Sequence, residues 1–399
     1  KEKQKSGPGQ VVSQSVLNMA FNIDLIRERE TPFYYYDMQL LDDTLRAVNS
    51  NIAGRPVKVH YAVKANANPG ILKRISAAGF GADCVSGGEI SLALEAGFKP
   101  EDIFFAGVGK TDREIRQGLE TGIGSFVVES LEELEVIAQL AAEMNSTARI
   151  MLRVNPNIDA HTHHYITTGL EENKFGIDMR LLDKAVYTAV GNPNLDLVGL
   201  HFHIGSQITT NEPFVVLSER VNELVSRYRA RGVNFRIIDL GGGLGVDYDD
   251  PDANPIPDFK EYFDTIMANL KVEPGQQIHC EPGRSIVAQC GSLISSVVYV
   301  KNGMERNFII LDAGMNDLLR PALYGAHHKI QNLTADSDAR QEYYDVVGPV
   351  CESSDVFGQE ELLPETHRGD IFALRSAGAY GESMASRYNA RELPGSLLV

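Results

Sequence analysis

The sequence predicts an α/β architecture, a parallel (β/α)8 barrel joined to a second, mostly β domain. Three observations point there. Eight short apolar or β-branched runs recur between residues 58 and 283, and helical-period segments separate them. After residue 286 that period fades into strand-like runs broken by Gly, Asn, Asp and Pro. Eight βα units in about 250 residues is the size of such a barrel. A doubly wound open sheet is the competing arrangement, because pattern alone does not close a sheet.

In chain order the barrel runs are KVHYAVK (58–64), GADCVS (81–86), IFFAG (103–107), SFVVES (125–130), ARIMLRV (148–154), LVGLHFHIG (197–205), FRIIDLGGG (235–243) and QIHCEPG (277–283). Between them, GEISLALEAG, TDREIRQGLETG, SLEELEVIAQLAAEM and FVVLSERVNELVSRYRARG repeat apolar residues at three and four positions, the spacing that puts them on one helical face. SLISSVVYVKN, RNFIILDAG, EYYDVVGPVC and GDIFALRSAG are the strand-like runs of the second domain. The segment before Phe33 is too short to fold alone and is expected to pack onto one of the two domains. No internal repeat or low-complexity tract interrupts the pattern.

Composition narrows the function classes. Of 399 residues, 43% are hydrophobic and 23% charged, enough apolar surface for a packed core. Lys plus Arg minus Asp plus Glu is 37 − 54 = −17, which repels a phosphate backbone and argues against nucleic acid or an anionic membrane as the main partner. No apolar stretch approaches the roughly 18–20 residues that span a bilayer. The polar start KEKQKSGPGQ reads as a processed or appended tail rather than a secretory signal, so the cytoplasm is expected. Cys84, Cys280, Cys290 and Cys351 form no C-x-x-C pair, and free thiols are expected.

In a parallel barrel, chemistry gathers at the carboxyl ends of the strands. The first run ends in Lys64, the second carries Asp83, and the sixth ends in His201-Phe-His203-Ile-Gly205-Ser206. The seventh ends in Gly241-Gly242-Gly243 and the eighth in Glu281-Pro282-Gly283-Arg284. A lysine at a strand end is ordinarily a snorkelling side chain. In a desolvated mouth its pKa is expected to fall, making it a candidate for an imine with a carbonyl compound. The glycines either allow close backbone approach or present bare N–H groups to a phosphate, and G-x-G-x-x-G spacing is absent. Buried Glu281 needs a partner, for which Arg284 is the plain candidate and a protonated cofactor ring nitrogen the functional one. Pyridoxal 5'-phosphate unites these pieces, with its aldehyde on Lys64, its phosphate on the glycines and its ring nitrogen on Glu281. His201 and His203, two apart on a strand, could ligate a metal, but further ligands at other strand ends are not evident, and no metal is expected. The loop histidines His161, His163, His164, His327 and His328 are expected to be solvated.

The motifs YAVKAN (61–66), GADCVSGGE (81–89), HTHHYITTGLEENKFGI (161–177), GLHFHIGSQ (199–207), DLGGGLGV (239–246), CEPGRSIV (280–287), LDAGMNDLLRPALYGAHH (311–328), GPVCESSDVFG (348–358) and GAYGESMASRYN (378–389) run across almost the whole chain. In content and order they resemble the group IV, alanine-racemase-fold pyridoxal-phosphate decarboxylases, and within that group the branch acting on diaminopimelate. The resemblance implies a barrel over residues 33–286 and a β domain built from 1–32 and 287–399. It implies Lys64 as the cofactor-binding lysine and His203 stacked on the ring. Ser206, Gly243, Gly283 and Arg284 would hold the phosphate under Tyr380, Glu281 would face the ring nitrogen, and Asp83 would support Lys64. Cys351 and Glu352 resemble residues delivered across a dimer interface, so a homodimer with shared sites is implied.

The substrate this branch implies, meso-2,6-diaminopimelate, carries a second amino-acid head, which needs a cation for its carboxylate and an anion for its ammonium. Arg320 and Glu352 supply one of each, with Tyr324 and Tyr380 beside them, and Arg284 would also reach the substrate. An ordinary surface or domain-interface ion pair is the other reading of Arg320. The reaction implied is decarboxylation to L-lysine and CO2, with Cys351 the candidate acid that returns a proton to the α carbon. A small buried hydrophobe is the ordinary fate of a free cysteine. The tail RYNARELPGSLLV departs from the family pattern in being less basic and shorter, and Glu382 stands where an apolar residue is expected.

Overall fold

The computed structural model describes residues 21–156 and 174–399. They form two units: Met38–Cys290 with Gly378–Ser383, and the described residues up to Asp37 with Gly291–Ala377 and Met384–Val399. The first expected boundary therefore moves from 33 to 37/38. The reason is that Phe33–Tyr36 (β1) pairs with strands of the β unit. The barrel's end moves from 286 to 290, and a short return, 378–383, belongs with the barrel although it lies far downstream.

The barrel is closed, and all eight expected runs form its strands, with pairing in chain order. They are β2 (Val57–Ala62), β3 (Gly81–Cys84), β4 (Ile103–Phe105), β5 (Ser125–Val128), β6 (Ala148–Arg153), β7 (Leu195–His201), β8 (Ile237–Asp239) and β9 (Gln277–Cys280). Every pairing is parallel, and β2 meets β9 with Val57 opposite Ile278, which excludes the open sheet. Each strand is shorter at its carboxyl end than its run suggested. Lys64 sits in a 3-10 turn, Val63–Ala65, and His203 lies beyond β7. The strands are buried on both faces, as covered parallel sheets are, which is why their sequences are continuous apolar runs rather than alternating ones. Side-chain caps start several outer helices. Ser86 accepts from Glu89 N, Ser130 from Glu133 N and Asp258 from Glu261 N, and Thr111 forms a full capping box with Glu114. Within the barrel, His60, Phe104 and His279 form a stack, with centroids 4.0 Å apart for His60–Phe104 and 4.8 Å for His60–His279.

The β unit is built on β10 (Gly291–Asn302), with β11 (Asn307–Leu311), β12 (Ile330–Asn332), β13 (Gln341–Val347), β14 (Val356–Pro364) and β15 (Ile371–Leu374) in the order β12-β15-β10-β11-β13-β14. β1 lies antiparallel to β10 and parallel to β16 (Gly395–Leu398). Phe21, Ile26, Phe33, Tyr35, Ile294, Ile371 and Leu397 share one core of this unit. Of the segment before Phe33, the described residues from Phe21 on thus pack on the β unit. Among the described residues, no helix is long and apolar enough to cross a membrane.

Candidate active site

The barrel unit brings nine of the expected site residues together in one molecular unit: Lys64, Asp83, His203, Ser206, Gly243, Glu281, Gly283, Arg284 and Tyr380. Lys64 follows β2 directly, and Nζ lies 3.7 Å from Asp83 Oδ2. Its side chain keeps 42% exposure, so the amine opens onto the mouth rather than into packed core. The expected fall in its pKa is overturned. Burial pushes it down, but Asp83, Tyr380 and Glu281 outweigh that and the net direction is up. The turn that carries Lys64 is pinned: Tyr61 OH donates to Asn66 O, Asn66 Nδ2 to Gly378 O, and Tyr380 N to Ala65 O at 2.7 Å. Tyr380 holds a left-handed φ of 58°, and its ring lies 5.0 Å from the Arg284 guanidinium. Glu382 receives Asn68 Nδ2, which accounts for an acidic side chain at that place.

Glu281 pairs with His201, not with Arg284: Oε2 lies 2.9 Å from His201 Nε2, with both side chains buried. Arg284 instead donates to Ser206 Oγ, at 3.2 and 3.1 Å, and to Tyr248 OH. Asp239, at the end of β8, joins the group, since one ligand atom each from His201, Asp239 and Glu281 lies within 4.8 Å of the others. The expectation that no further metal-type ligands accompany His201 is therefore corrected. Asp239 hid in the sequence as part of a glycine motif. Charge in this cluster settles on one residue. Burial pushes Asp83 and Asp239 well up, reinforced by Glu281. Burial would raise Glu281 too, yet His201 above all, and then Lys64, bring it down to about 2. His203 is held well below its usual range by burial, Arg153 and Lys64, so its ring is neutral.

The glycine turn serves close packing first. A Cβ on Gly241, whose φ is +68°, would stand 2.4 Å from Phe202 O and 2.8 Å from His203 Nδ1. Asp239 Oδ1 receives Gly241 N at 2.8 Å, tying the turn to the carboxyl cluster. A Cβ on Gly243, whose φ is +120°, would stand 3.0 Å from Gly205 O, and one on Gly283, directly before Arg284, 3.0 Å from the Cβ atoms of Ala62 and Ala65. A second buried network, which no motif in the sequence marks, lies at the ends of β5 and β6. Arg153 donates to Glu129 at 2.7 Å, and Glu129 in turn receives Gly176 N.

Cys351, Glu352, Arg320 and Tyr324 belong to the β unit. Cys351 is exposed, unlike the three buried cysteines, and all four are free. Its N–H donates to Asn389 Oδ1, and Tyr388 OH donates to Glu352. Arg320 is 6% exposed and donates to His328, which is fully buried, so the expected solvation fails for His328. His161, His163 and His164 lie outside the described residues.

The donors fit pyridoxal phosphate on two structural counts. Glu281 is anionic, and its Oε1 is buried with no N–H group donating to it, a place that a ring N–H would fill beside the protonated carboxyl of Asp239. Lys64 presents an amine at the same mouth, and the Ser206–Arg284 corner supplies a cation for a phosphate.

A family model for the pyridoxal binding domain of pyridoxal-dependent decarboxylases matches residues 39–288, and the chain belongs to that class of enzymes. It is 56% identical over 375 residues to a diaminopimelate decarboxylase of Bacteroides thetaiotaomicron, covering 94% of this chain and 97% of that one. The structure of Helicobacter pylori diaminopimelate decarboxylase complexed with L-lysine is similar at a TM-score of 0.89, with 43% identity and 95% and 94% of the two chains covered. That from M. jannaschii, in co-complex with L-lysine, has a TM-score of 0.88, with 36% identity and 95% and 89% covered. Within the class, the chain is a member of the diaminopimelate decarboxylase family.

Proposed function

We propose that the protein decarboxylates meso-2,6-diaminopimelate to L-lysine and CO2, with the barrel residues above holding pyridoxal 5'-phosphate. The observation that carries the reading is Glu281, an anionic carboxylate fixed by His201 with Oε1 buried and no N–H group donating to it, in the same unit as Lys64. When bound, the cofactor supplies an electron sink for the pair left as the carbon–carboxylate bond breaks. Lys64 would hold its aldehyde carbon, supported by Asp83. Ser206, Gly243, Gly283 and Arg284 would hold its phosphate under Tyr380. Neutral His203 offers a flat face to the ring, and Glu281 keeps the ring nitrogen protonated. Arg284 and Tyr380 also border the substrate.

Arg320, Tyr324 and Glu352 receive the distal amino-acid head, the guanidinium taking its carboxylate and Glu352 its ammonium. Cys351 returns the proton to the α carbon. The family resemblance assigns Cys351 and Glu352 to the site of a second copy, and their exposure on their own unit supports a homodimer with shared sites. The net charge of −17 supports a small-molecule rather than nucleic-acid partner, and four free thiols suit the reducing cytoplasm.

Purified protein given pyridoxal phosphate and then meso-diaminopimelate tests this. A visible cofactor band that shifts on substrate, with lysine and CO2 released, is the expected result. Turnover of lysine or ornithine instead would favour a decarboxylase for another basic amino acid. No band at all would overturn the cofactor assignment.

A further inference from the structure

Arg320 opens a short helix, Arg320–Tyr324, that Gly325 ends in a left-handed turn at φ 61°. Its Nη1 lies 2.8 Å from His328 Nε2, and His328 Nδ1 lies 2.8 Å from the carbonyl oxygen of Arg375. A guanidinium has donors only, so Nε2 must offer its lone pair. A carbonyl has acceptors only, so Nδ1 must carry the proton. One form of the imidazole meets both demands, the neutral Nδ1–H tautomer. A doubly protonated ring would lose the bond to Arg320, and the other tautomer would lose both.

The relay is anchored at its far end. Arg375 directly follows β15, its N–H donates to Lys329 O at 2.9 Å, and its Nη1 donates to Gln331 Oε1 at 2.7 Å. The backbone on either side of His328 is thus tied to the strand pair β12–β15. His328 is 0% exposed, so its ring cannot swing away without opening the unit's core. A guanidinium is planar, and one anchored N–H together with the tether of its own side chain restricts the plane and direction of the other four.

We propose that His328 is a positioning residue for substrate selection. By accepting from Arg320 it sets the guanidinium plane to meet the carboxylate of a distal amino-acid head, favouring ligands that carry that carboxylate over plain diamines. This rests on the reading of Arg320 as the distal-carboxylate contact.

The test uses holoenzyme with two probes, L-lysine, which keeps the distal carboxylate, and cadaverine, which lacks it. His328→Leu should weaken lysine inhibition by about tenfold, the scale of one charge-assisted hydrogen bond, and leave cadaverine inhibition unchanged. KM for meso-diaminopimelate should rise with kcat changed less. His328→Gln, with an acceptor and a donor on one amide, should recover part of the loss. Equal weakening of both probes, or no weakening of lysine by His328→Leu, overturns the proposal. Arg320→Gln separates the two levels. If it weakens lysine while His328→Leu does not, only the role of His328 falls; if it too leaves lysine binding intact, the reading of Arg320 falls with it.

Discussion

Glu281 concentrates the electrostatics of the barrel mouth. Three buried carboxyl groups stand near one another, and only the one facing His201 is drawn down, so the negative charge has a fixed address. A ring nitrogen bound beside it would gain a permanent counter-charge, which is what an electron-withdrawing pyridinium requires. Glu281→Gln keeps the shape and removes the charge. Cofactor should still bind, as judged by its visible absorbance, while kcat falls by roughly 10²–10⁴, the usual loss when a positioned proton-handling group is removed. Near-normal turnover in this variant would show that Glu281 does not keep the ring protonated. At this scale the sequence offered Lys64, His203, Glu281 and Arg284 by their strand-end positions. It could not give their partners, because His201 and Glu281 meet across a separation of 80 residues. Separations of 78 and 36 residues likewise hid the use of Arg284, which bypasses its near neighbour Glu281 for Ser206 and Tyr248.

Among the elements, β2 and β9 place His60 and His279 in a stack with Phe104 of β4. Burial holds both imidazoles neutral, pressing His60 from 6.5 down to about 4. In the unfolded chain His60 takes a proton near its ordinary pKa, whereas in the folded barrel it resists. The unfolded state therefore binds more protons between these values. Stability from this group is fully present above about 6.5 and is lost as pH falls toward 4, by roughly 3 kcal/mol in all. Melting temperature should drop between pH 7 and 5, and the drop should be smaller in a His60→Asn chain. The same pH dependence in both would remove His60 from the account. Strand legibility followed burial in the same way. The barrel strands are apolar on both faces and stand out, whereas β14, VFGQEELLP, edges its sheet and spreads exposed polar residues along its length. β12 and β16, with three and four residues, are too short to show a period. β1, FYYY, falls inside the implied 33–286 barrel boundary yet pairs in the other sheet, because nothing in four buried residues says which sheet they join.

For the whole molecule, the proposed sharing of sites between two copies makes a prediction that no single-chain measurement can. Lys64→Ala and Cys351→Ala chains should each be inactive as homodimers. If each site takes Lys64 from one copy and Cys351 from the other, mixed dimers hold one intact site, and equal mixing should restore about a quarter of normal activity. No recovery, with mixing verified by differently tagged chains, would place both residues in one copy's site. The order of strands along the chain has a further consequence, for synthesis. All eight barrel strands have been made by residue 280, but Tyr380 and the return that pins the Lys64 turn are joined to it across 312 residues. β1 likewise waits for its parallel neighbour near the chain's last residues. A nascent chain can therefore close its barrel well before the return that pins the Lys64 turn has been made, so the rim that carries Lys64 is completed later than the barrel beneath it.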